Sequence, residues 1–319
     1  MPDMEWVAGD RDAEAVEKRW IGQVQGSAPG PTLVAVGALH GNELAGVKAA
    51  KRVLASLEER AVELRGRFIA LVGNVAAMER GTRFVQMDLN RLWRTEVVEA
   101  LMGSYPGTLV APEELELKAL ALALDQIADA ADGPVALLDL HTSSATSPPF
   151  IAVGDDPLAD RIVEHTGVVE VKGTARYLKG MLVEHAGRRG WAAMAFEAGR
   201  HEDELSVSCH EAMMWQVMVE LGIIAPEMVP EQVRTCEALR RRDSERSNIV
   251  EIVYRHAVTR EDGFRMIPGF ENFEPVTEGQ PLGKDRNGIV ASPLSGRLFL
   301  PLYQEQGDEG FFIVREVSA

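Results

Sequence analysis

Short apolar runs of strand length alternate with amphipathic helical segments along the first two thirds of the chain. After Gly30-Pro31, residues 32–39 form one such run, and the apolar positions that follow it recur at spacings of three and four, as on one helix face. Runs this apolar indicate strands that are buried on both faces, as in parallel sheets covered by helices. We therefore predict an α/β fold with a mixed, largely parallel sheet flanked by helices. The predicted strands are 32–39, 68–72, 135–140, 150–153 and 192–196, and the predicted helices are 44–57, 113–130, one beginning at Pro157, and 204–221.

The pattern changes near residue 240, where the charged segment 239–247 is typical of a connection between domains. Beyond it, the β-prone run 249–254 is followed by short apolar pieces separated by Gly and Pro, which indicates all-β structure. We predict an α/β domain over 1–240 and a β-rich, barrel-sandwich-like domain over 241–319. Residues 276–300 resemble the barrel-sandwich hybrids of biotinyl and lipoyl carrier domains but lack their lysine-bearing hairpin tip, so only the shape is predicted.

Composition limits the partners and the location. The 319 residues are 46% hydrophobic and 26% charged, as in soluble globular proteins, and the formal net charge of -16 argues against binding nucleic acid. The negative net charge does not exclude a small anionic substrate, because arginines can cluster locally within an acidic surface. The absence of a long apolar window argues against membrane insertion, and the polar first 20 residues do not form a signal peptide. We therefore expect a cytoplasmic protein, while the sequence leaves open whether it is a homo-oligomer.

The number of cysteines also limits the class of protein. The two cysteines, Cys209 and Cys236, stand in unrelated contexts. Neither a disulfide framework nor a cysteine-rich zinc module is expected from so few thiols.

The segment His40-Gly41-Asn42-Glu43 places two good zinc ligands three residues apart, between a predicted strand and a predicted helix. His141 also follows the end of a predicted strand, so all three side chains converge if the two strands are neighbours. Two histidines and one carboxylate leave the fourth zinc position open for water, as in a catalytic site. Alone, a His-x-x-Glu pair is a weak signal that occurs often without a metal.

Asp139 lies two residues before His141 and therefore on the same side of the strand. It would serve as an acceptor that orients the imidazole of a metal ligand. The alternative is an ordinary buried polar contact.

Residues 81–91 concentrate Arg83, Asp88, Asn90 and Arg91 just after the second predicted strand. An arginine offers a planar fork that matches a carboxylate or a developing oxyanion. The alternative interpretation is an ion-pair network centred on Asp88 that stabilises the loop.

Glu197 ends a further predicted strand, where a carboxylate would act as general base towards water and later as general acid towards the leaving amine. The alternative is a solvated strand end. Arg188 and Arg189, a few residues upstream, would add an anion clamp or simply form a turn.

Together these motifs resemble the succinylglutamate desuccinylase/aspartoacylase family, a branch of the M14 zinc carboxypeptidase-like group. The resemblance covers residues 32–200 and rests on four motifs in the same order, while the last third of the chain is a looser match. The motifs are His40-Gly-Asn-Glu43, Arg83 with Asp88-Leu-Asn90-Arg91, Asp139-Leu-His141, and Phe196-Glu197-Ala-Gly199.

The resemblance implies one Zn²⁺ per chain, with Glu197 as general base and Arg83 stabilising the oxyanion of the tetrahedral intermediate. Asn90 and Arg91 would hold the α-carboxylate of the substrate. A further family arginine for the substrate side-chain carboxylate has no clean counterpart, Arg188 and Arg189 being nearest. The implied metal ligands are His40, Glu43 and His141, and Tyr303 would cap the site from the C-terminal domain.

The resemblance implies an amidohydrolase that deacylates a small anionic N-acyl amino acid of the N-acetyl or N-succinyl class. A metallocarboxypeptidase acting on short peptides would use the same residues, and an open groove would favour it over a narrowed pocket. A catalytically inactive binding protein is the third hypothesis, and retention of Glu197 and all three ligands argues against it.

Overall fold

The computed structural model describes residues 10–59, 63–103, 111–153, 156–233 and 249–317. The helices of these residues are α1 (Asp10–Glu17), α2 (Ala45–Glu59), α3 (Val75–Arg80), α4 (Thr95–Met102), α5 (Pro112–Asp129), α6 (Pro157–Thr166), α7 (Thr174–Tyr177), α8 (Leu182–Arg188) and α9 (Glu204–Glu220). The strands are β1 (Trp20–Gln25), β2 (Ala28–Gly37), β3 (Arg65–Val72), β4 (Val135–Ser143), β5 (Phe150–Val153), β6 (Val169–Lys172), β7 (Ala192–Arg200), β8 (Ile249–Ala257), β9 (Arg265–Met266), β10 (Pro275–Val276), β11 (Pro281–Asp285), β12 (Gly288–Ala291), β13 (Gly296–Phe299) and β14 (Glu309–Glu316).

Eleven strands form one mixed sheet in the order β1-β3-β2-β4-β7-β5-β6-β8-β14-β13-β10. The central strands β3, β2, β4 and β7 are parallel, and β5 is antiparallel to β7. The carboxyl ends of β2, β4 and β7 therefore lie side by side at one edge of the sheet. Ligands bind at this edge in open α/β sheets.

Both faces of the central sheet are buried. Leu33 and Ala35 pack on one face with apolar residues of α2, α6 and α9. Val34 and Val36 pack on the other face with α4, α5 and α8. This alternation follows from the two-residue period of a strand and explains why β2 reads as an unbroken apolar run. The predicted fold class is confirmed.

The C-terminal segment continues the main sheet, because β8 pairs parallel to β6 and antiparallel to β14. The short strands β9, β11 and β12 form a separate three-stranded antiparallel sheet. This part is β-rich, as the sequence predicts. The predicted boundary at residue 240 and Cys236 both lie outside the described residues, so the division into two domains stays a prediction. Cys209 is buried in α9.

Among the helices that the structure describes, none combines the length and apolar character needed to cross a lipid bilayer.

Two glycines let helix α2 lie close to the sheet directly after the His40–Glu43 turn. A Cβ atom at Gly46 would stand 2.6 Å from the Cβ of Leu140 in β4. A Cβ atom at Gly37 would stand 2.8 Å from the main-chain nitrogen of Val47. Real Cβ atoms do not tolerate such separations, so a larger residue at either position must move the helix or the strand.

We predict that Gly46→Ala lowers the free energy of unfolding by about 1–3 kcal/mol, because the added methyl overpacks the contact between α2 and β4. Urea unfolding measures this change. The matched control is Gly187→Ala in α8, where a Cβ meets no atom within 4 Å. That substitution is expected to be neutral or stabilising by about 0.5–1 kcal/mol. Equal effects of the two substitutions would contradict the packing argument.

Candidate metal centre and active site

The sheet brings the predicted site residues to one edge. His40 lies just beyond the end of β2, His141 lies near the end of β4, and Glu197 lies in β7. The parallel register places His141 directly beside Glu197. The parallel pairing of neighbouring strands thus brings together residues that are far apart in the chain.

The turn between β2 and α2 is held in place by main-chain contacts. Ala38 has φ 53, a left-handed conformation that is uncommon for a residue with a side chain. Its carbonyl accepts a hydrogen bond from the Asn74 amide at 2.9 Å. Gly41 lies against α3, because a Cβ there would stand 2.1 Å from the carbonyl carbon of Ala77. The Gly41 amide also donates to the Arg83 carbonyl at 3.0 Å, which fixes the Arg83 loop to this turn.

Glu43 lies between the two imidazoles. Its Oε1 is 2.8 Å from Nδ1 of His40, and its Oε2 is 3.0 Å from Nδ1 of His141. The Thr142 amide donates a further hydrogen bond to Oε2 at 3.0 Å. One potential ligand atom from each of His40, Glu43 and His141 lies within 4.8 Å of the other two, and all three residues are buried. The three predicted ligands therefore converge.

A carboxylate stands behind each imidazole, on the side away from Glu43. Asp88 Oδ1 is 3.2 Å from Nε2 of His40, and Asp139 Oδ2 is 2.9 Å from Nε2 of His141. Such contacts fix the ring orientation and raise the basicity of a metal-ligating histidine. The geometry matches the orienting role that the sequence predicts for Asp139, and it adds Asp88 in the same position for His40.

The ion-pair network centred on Asp88, the alternative interpretation of the arginine cluster, is present in the structure. Asp88 Oδ2 pairs with Arg83 at 2.9 Å, and Oδ1 accepts a hydrogen bond from the Asn90 amide at 2.8 Å. The network stabilises the loop, and the same carboxylate contacts His40. A structural role and a role at the candidate site therefore coincide in one residue.

Charge pairing controls ionisation in this cluster. Burial alone would raise the pKa of Glu43, but the two histidines hold that pKa well below its usual range. Burial alone would lower the pKa of His141, but Asp139 and Glu43 hold it well above its usual range. Burial likewise opposes ionisation of Asp88, and Arg83 and His40 reverse the effect, so its pKa also lies well below the usual range. The carboxyl groups of Glu43 and Asp88 are therefore held in their ionised form.

Glu197 stands apart from these pairs. Its Oε2 is buried without a hydrogen-bond partner among the residues that the structure describes. Burial raises the pKa of the Glu197 carboxyl to about 7. A carboxyl group that titrates near neutral pH in a cavity suits proton transfer in both directions.

Arg83, Asn90 and Arg91 line the same cavity as the candidate metal ligands. Arg83 reaches Glu43 at 3.5 Å in addition to Asp88. Asn90 Oδ1 accepts from the Leu182 amide at 2.9 Å, while its amide nitrogen lies 3.3 Å from Nε2 of His141. These contacts place the side-chain amide of Asn90 beside the imidazole of His141.

The structure does not bring Arg188, Arg189 or Tyr303 to this cavity. Arg188 donates to the Trp93 carbonyl at 2.6 Å, and Arg189 pairs with Asp125 at 2.6 Å. Both arginines lie at the end of α8, and neither lines the cavity. The Tyr303 hydroxyl donates to the Ile267 carbonyl at 2.9 Å within the C-terminal region. Direct contact of these three side chains with a substrate is not supported by their positions.

The C-terminal segment closes the cavity through other residues. We call residues 301–309, between β13 and β14, the closing segment. Glu309 pairs with Arg91 at 3.0 Å, and Gln304 accepts a hydrogen bond from Asn42 at 3.1 Å. Gln306 exchanges hydrogen bonds with the main chain of Phe84. Sequence reasoning did not single out these residues, because Glu and Gln in a loop carry no local signature of such contacts.

Comparisons with known proteins find relatives for part of the sequence. A sequence model described as the Succinylglutamate desuccinylase/Aspartoacylase catalytic domain matches residues 29–167. The succinylglutamate desuccinylase of Burkholderia mallei is 30% identical over 147 residues, which cover 44% of this chain and 41% of that enzyme. The matched part thus spans about two fifths of the length of that curated relative.

Solved structures show the same fold. The succinylglutamate desuccinylase/aspartoacylase of Rhodobacter sphaeroides superposes with a TM-score of 0.61 at 18% identity, covering 93% of this chain and 88% of that one. Murine aminoacylase 3 superposes with a TM-score of 0.60 at 18% identity, covering 91% of this chain and 96% of that one. Residues 29–167 therefore resemble this catalytic domain in sequence, and the chain shares the fold of these solved structures.

Proposed function

We propose that this chain is a zinc-dependent amidohydrolase that deacylates a small N-acyl amino acid. The observation that carries the proposal is the convergence of His40, Glu43 and His141 on one point, with Glu197 beside them. The match of residues 29–167 to the succinylglutamate desuccinylase/aspartoacylase catalytic domain supports the same reaction class. We also propose that the protein is cytoplasmic, while its oligomeric state stays open.

The donor set fits zinc. Two imidazoles and one carboxylate are preferred ligands of Zn²⁺, and they leave a coordination position for the reaction. Asp88 and Asp139 face the imidazole nitrogens turned away from Glu43, as carboxylates behind zinc-bound histidines do. Zinc bound here would polarise the amide carbonyl and lower the pKa of water towards ~7.

We assign the remaining catalytic and binding roles to residues that line the same cavity. Glu197 accepts a proton from the attacking water and returns it to the leaving amine, for which a pKa of about 7 is well matched. Arg83 lies next to Glu43 and would stabilise the oxyanion of the tetrahedral intermediate, an effect often worth about 3 kcal/mol for one donor. Asn90 and Arg91 line the same cavity and would hold the carboxylate of the substrate.

The metallocarboxypeptidase alternative requires an open groove for a peptide. Here the closing segment contacts the loops that carry Asn42, Phe84 and Arg91, and it narrows the cavity from the C-terminal side. This favours a small substrate. A binding protein without catalysis is disfavoured, because the candidate base and all three candidate ligands lie together.

We predict that His40→Ala abolishes stoichiometric zinc binding and reduces hydrolysis of N-acyl amino acids at least 10³-fold, because two remaining ligands hold the ion poorly. Metal analysis and a hydrolysis screen with N-acetyl and N-succinyl amino acids measure both effects, and exhaustive chelation should reproduce the loss of activity. The control is His165→Ala, a surface histidine that pairs with Glu220. Full activity after chelation would disprove the proposed zinc dependence.

We predict that Asp139→Asn weakens zinc binding by about 10–100-fold, because the imidazole of His141 loses its charged partner. Competition with a chromophoric chelator gives the dissociation constant, and activity should largely return at saturating zinc. Asp125→Asn, which removes a half-exposed partner of Arg189, should leave zinc affinity unchanged. An unaltered affinity in Asp139→Asn would show that the contact is only structural.

We predict that Glu197→Gln lowers kcat by about 10²–10⁴-fold while zinc content and KM change little, because the amide cannot transfer the proton. Steady-state kinetics and metal analysis separate these quantities. Glu220→Gln changes a carboxylate outside the cavity and serves as the control. A kcat within threefold of the parent value would remove Glu197 from the mechanism.

A further inference from the structure

The cavity is divided into a charged half and an apolar half along the sheet. The candidate metal ligands lie at the ends of β2 and β4, and Glu197 follows in β7. The next strand, β5, pairs with β7 so that Phe150 lies beside Glu197 and Ala152 beside Ala195. All four side chains line the cavity. The surface beyond Glu197, away from the metal cluster, is therefore apolar.

Apolar side chains from three further parts of the chain complete this half of the cavity. Leu178 and Met181 contribute from the segments around α8, and Phe299 and Phe312 from the C-terminal strands. The rings of Phe150 and Phe299 pack edge to face with centroids 4.9 Å apart. Buried aromatic contacts of this kind hold the wall in one shape.

The two arginines that line the cavity among the described residues already have carboxylate partners. Arg83 pairs with Asp88 at 2.9 Å, and Arg91 pairs with Glu309 at 3.0 Å. Glu309 also pairs with Arg255 at 3.0 Å. A second carboxylate on a substrate would thus face apolar walls, where an unpaired charge is strongly disfavoured.

From this division, and resting on the proposed deacylase function, we propose that the enzyme selects N-acyl amino acids with one carboxylate and an apolar variable group. The carboxylate lies towards Asn90 and Arg91, and the scissile amide lies between the metal cluster and Glu197. The apolar group, either the acyl chain or the amino-acid side chain, fills the half bounded by Phe150, Leu178 and Phe299. Such a pocket gains affinity with each methylene that it buries.

Binding to zinc-loaded Glu197→Gln protein tests the preference without turnover. Calorimetry compares N-acetyl-L-leucine, N-hexanoylglycine and N-acetyl-L-aspartate. We expect at least one of the two apolar ligands to bind tighter than N-acetyl-L-aspartate, by a factor of about ten or more. The leucine derivative is favoured if the side chain fills the apolar half, and the hexanoyl derivative is favoured if the acyl chain does. Equal or tighter binding of the aspartate derivative, or binding of none of the three, overturns the inference.

A charge introduced into the apolar half should reverse the preference. Leu178 is half-buried, and Leu178→Arg is expected to shift the ratio of kcat/KM for N-acetyl-L-aspartate over N-acetyl-L-leucine by about tenfold towards aspartate. Leu205→Arg places the same charge at an exposed leucine of α9 and should leave the ratio unchanged. An unshifted ratio in soluble Leu178→Arg protein contradicts the proposal. If that variant does not fold, the binding comparison of the three ligands remains the test of the proposal.

The two proposals fail in different ways. Zinc-dependent hydrolysis that favours N-acetyl-L-aspartate overturns the apolar preference and leaves the deacylase function in place. Absence of hydrolysis with every N-acyl amino acid overturns the deacylase function, while the binding series still reports which ligand the cavity prefers.

Discussion

The carboxylate of Glu43 is the contact on which the rest of the site depends. It is buried at the end of the sheet, where an unpaired charge would be very costly, and it is shared by His40, His141 and the Thr142 amide. Removing any one partner leaves the others incompletely neutralised. The same arrangement brings the three candidate ligand atoms together. Gly46 takes part indirectly, because it lets α2 approach β4 and so brings Glu43 over the strand that carries His141.

Around this centre, a second set of charges links the loops to the C-terminal segment. Asp88 contacts both His40 and Arg83, and Glu309 contacts both Arg91 and Arg255. These shared carboxylates make the arginine loop, the metal cluster and the closing segment one connected network. The acidic composition of the chain is therefore compatible with arginines at the site, since each cavity arginine carries its own carboxylate partner.

Much of the fold could be predicted because the central strands are buried on both faces, and burial of that kind leaves an unbroken apolar run such as residues 32–39. Asp139 could be placed beside His141 because the side of a strand repeats every second residue. The positions of Arg188 and Arg189 could not be predicted in this way. Their guanidinium groups meet the Trp93 carbonyl and Asp125, and which partner a long side chain finds depends on how α8 packs. Leu302 and Gln304 line the cavity, while the hydroxyl of Tyr303 between them bonds within the C-terminal region, and no local pattern distinguishes these neighbours.

By itself, the sequence determined the α/β class, the alternation of the central strands with their main helices, and the motifs that resemble those of the succinylglutamate desuccinylase/aspartoacylase family, because these depend on local period and local chemistry. Only the tertiary structure decided that β4 lies between β2 and β7, which is what brings His40, His141 and Glu197 together. It also decided that the C-terminal strands extend the same sheet and that Glu309 meets Arg91. The division of the cavity into a charged and an apolar half arises from the same source. Residues from at least seven separate segments form it, and no local pattern in the chain records which of them become neighbours.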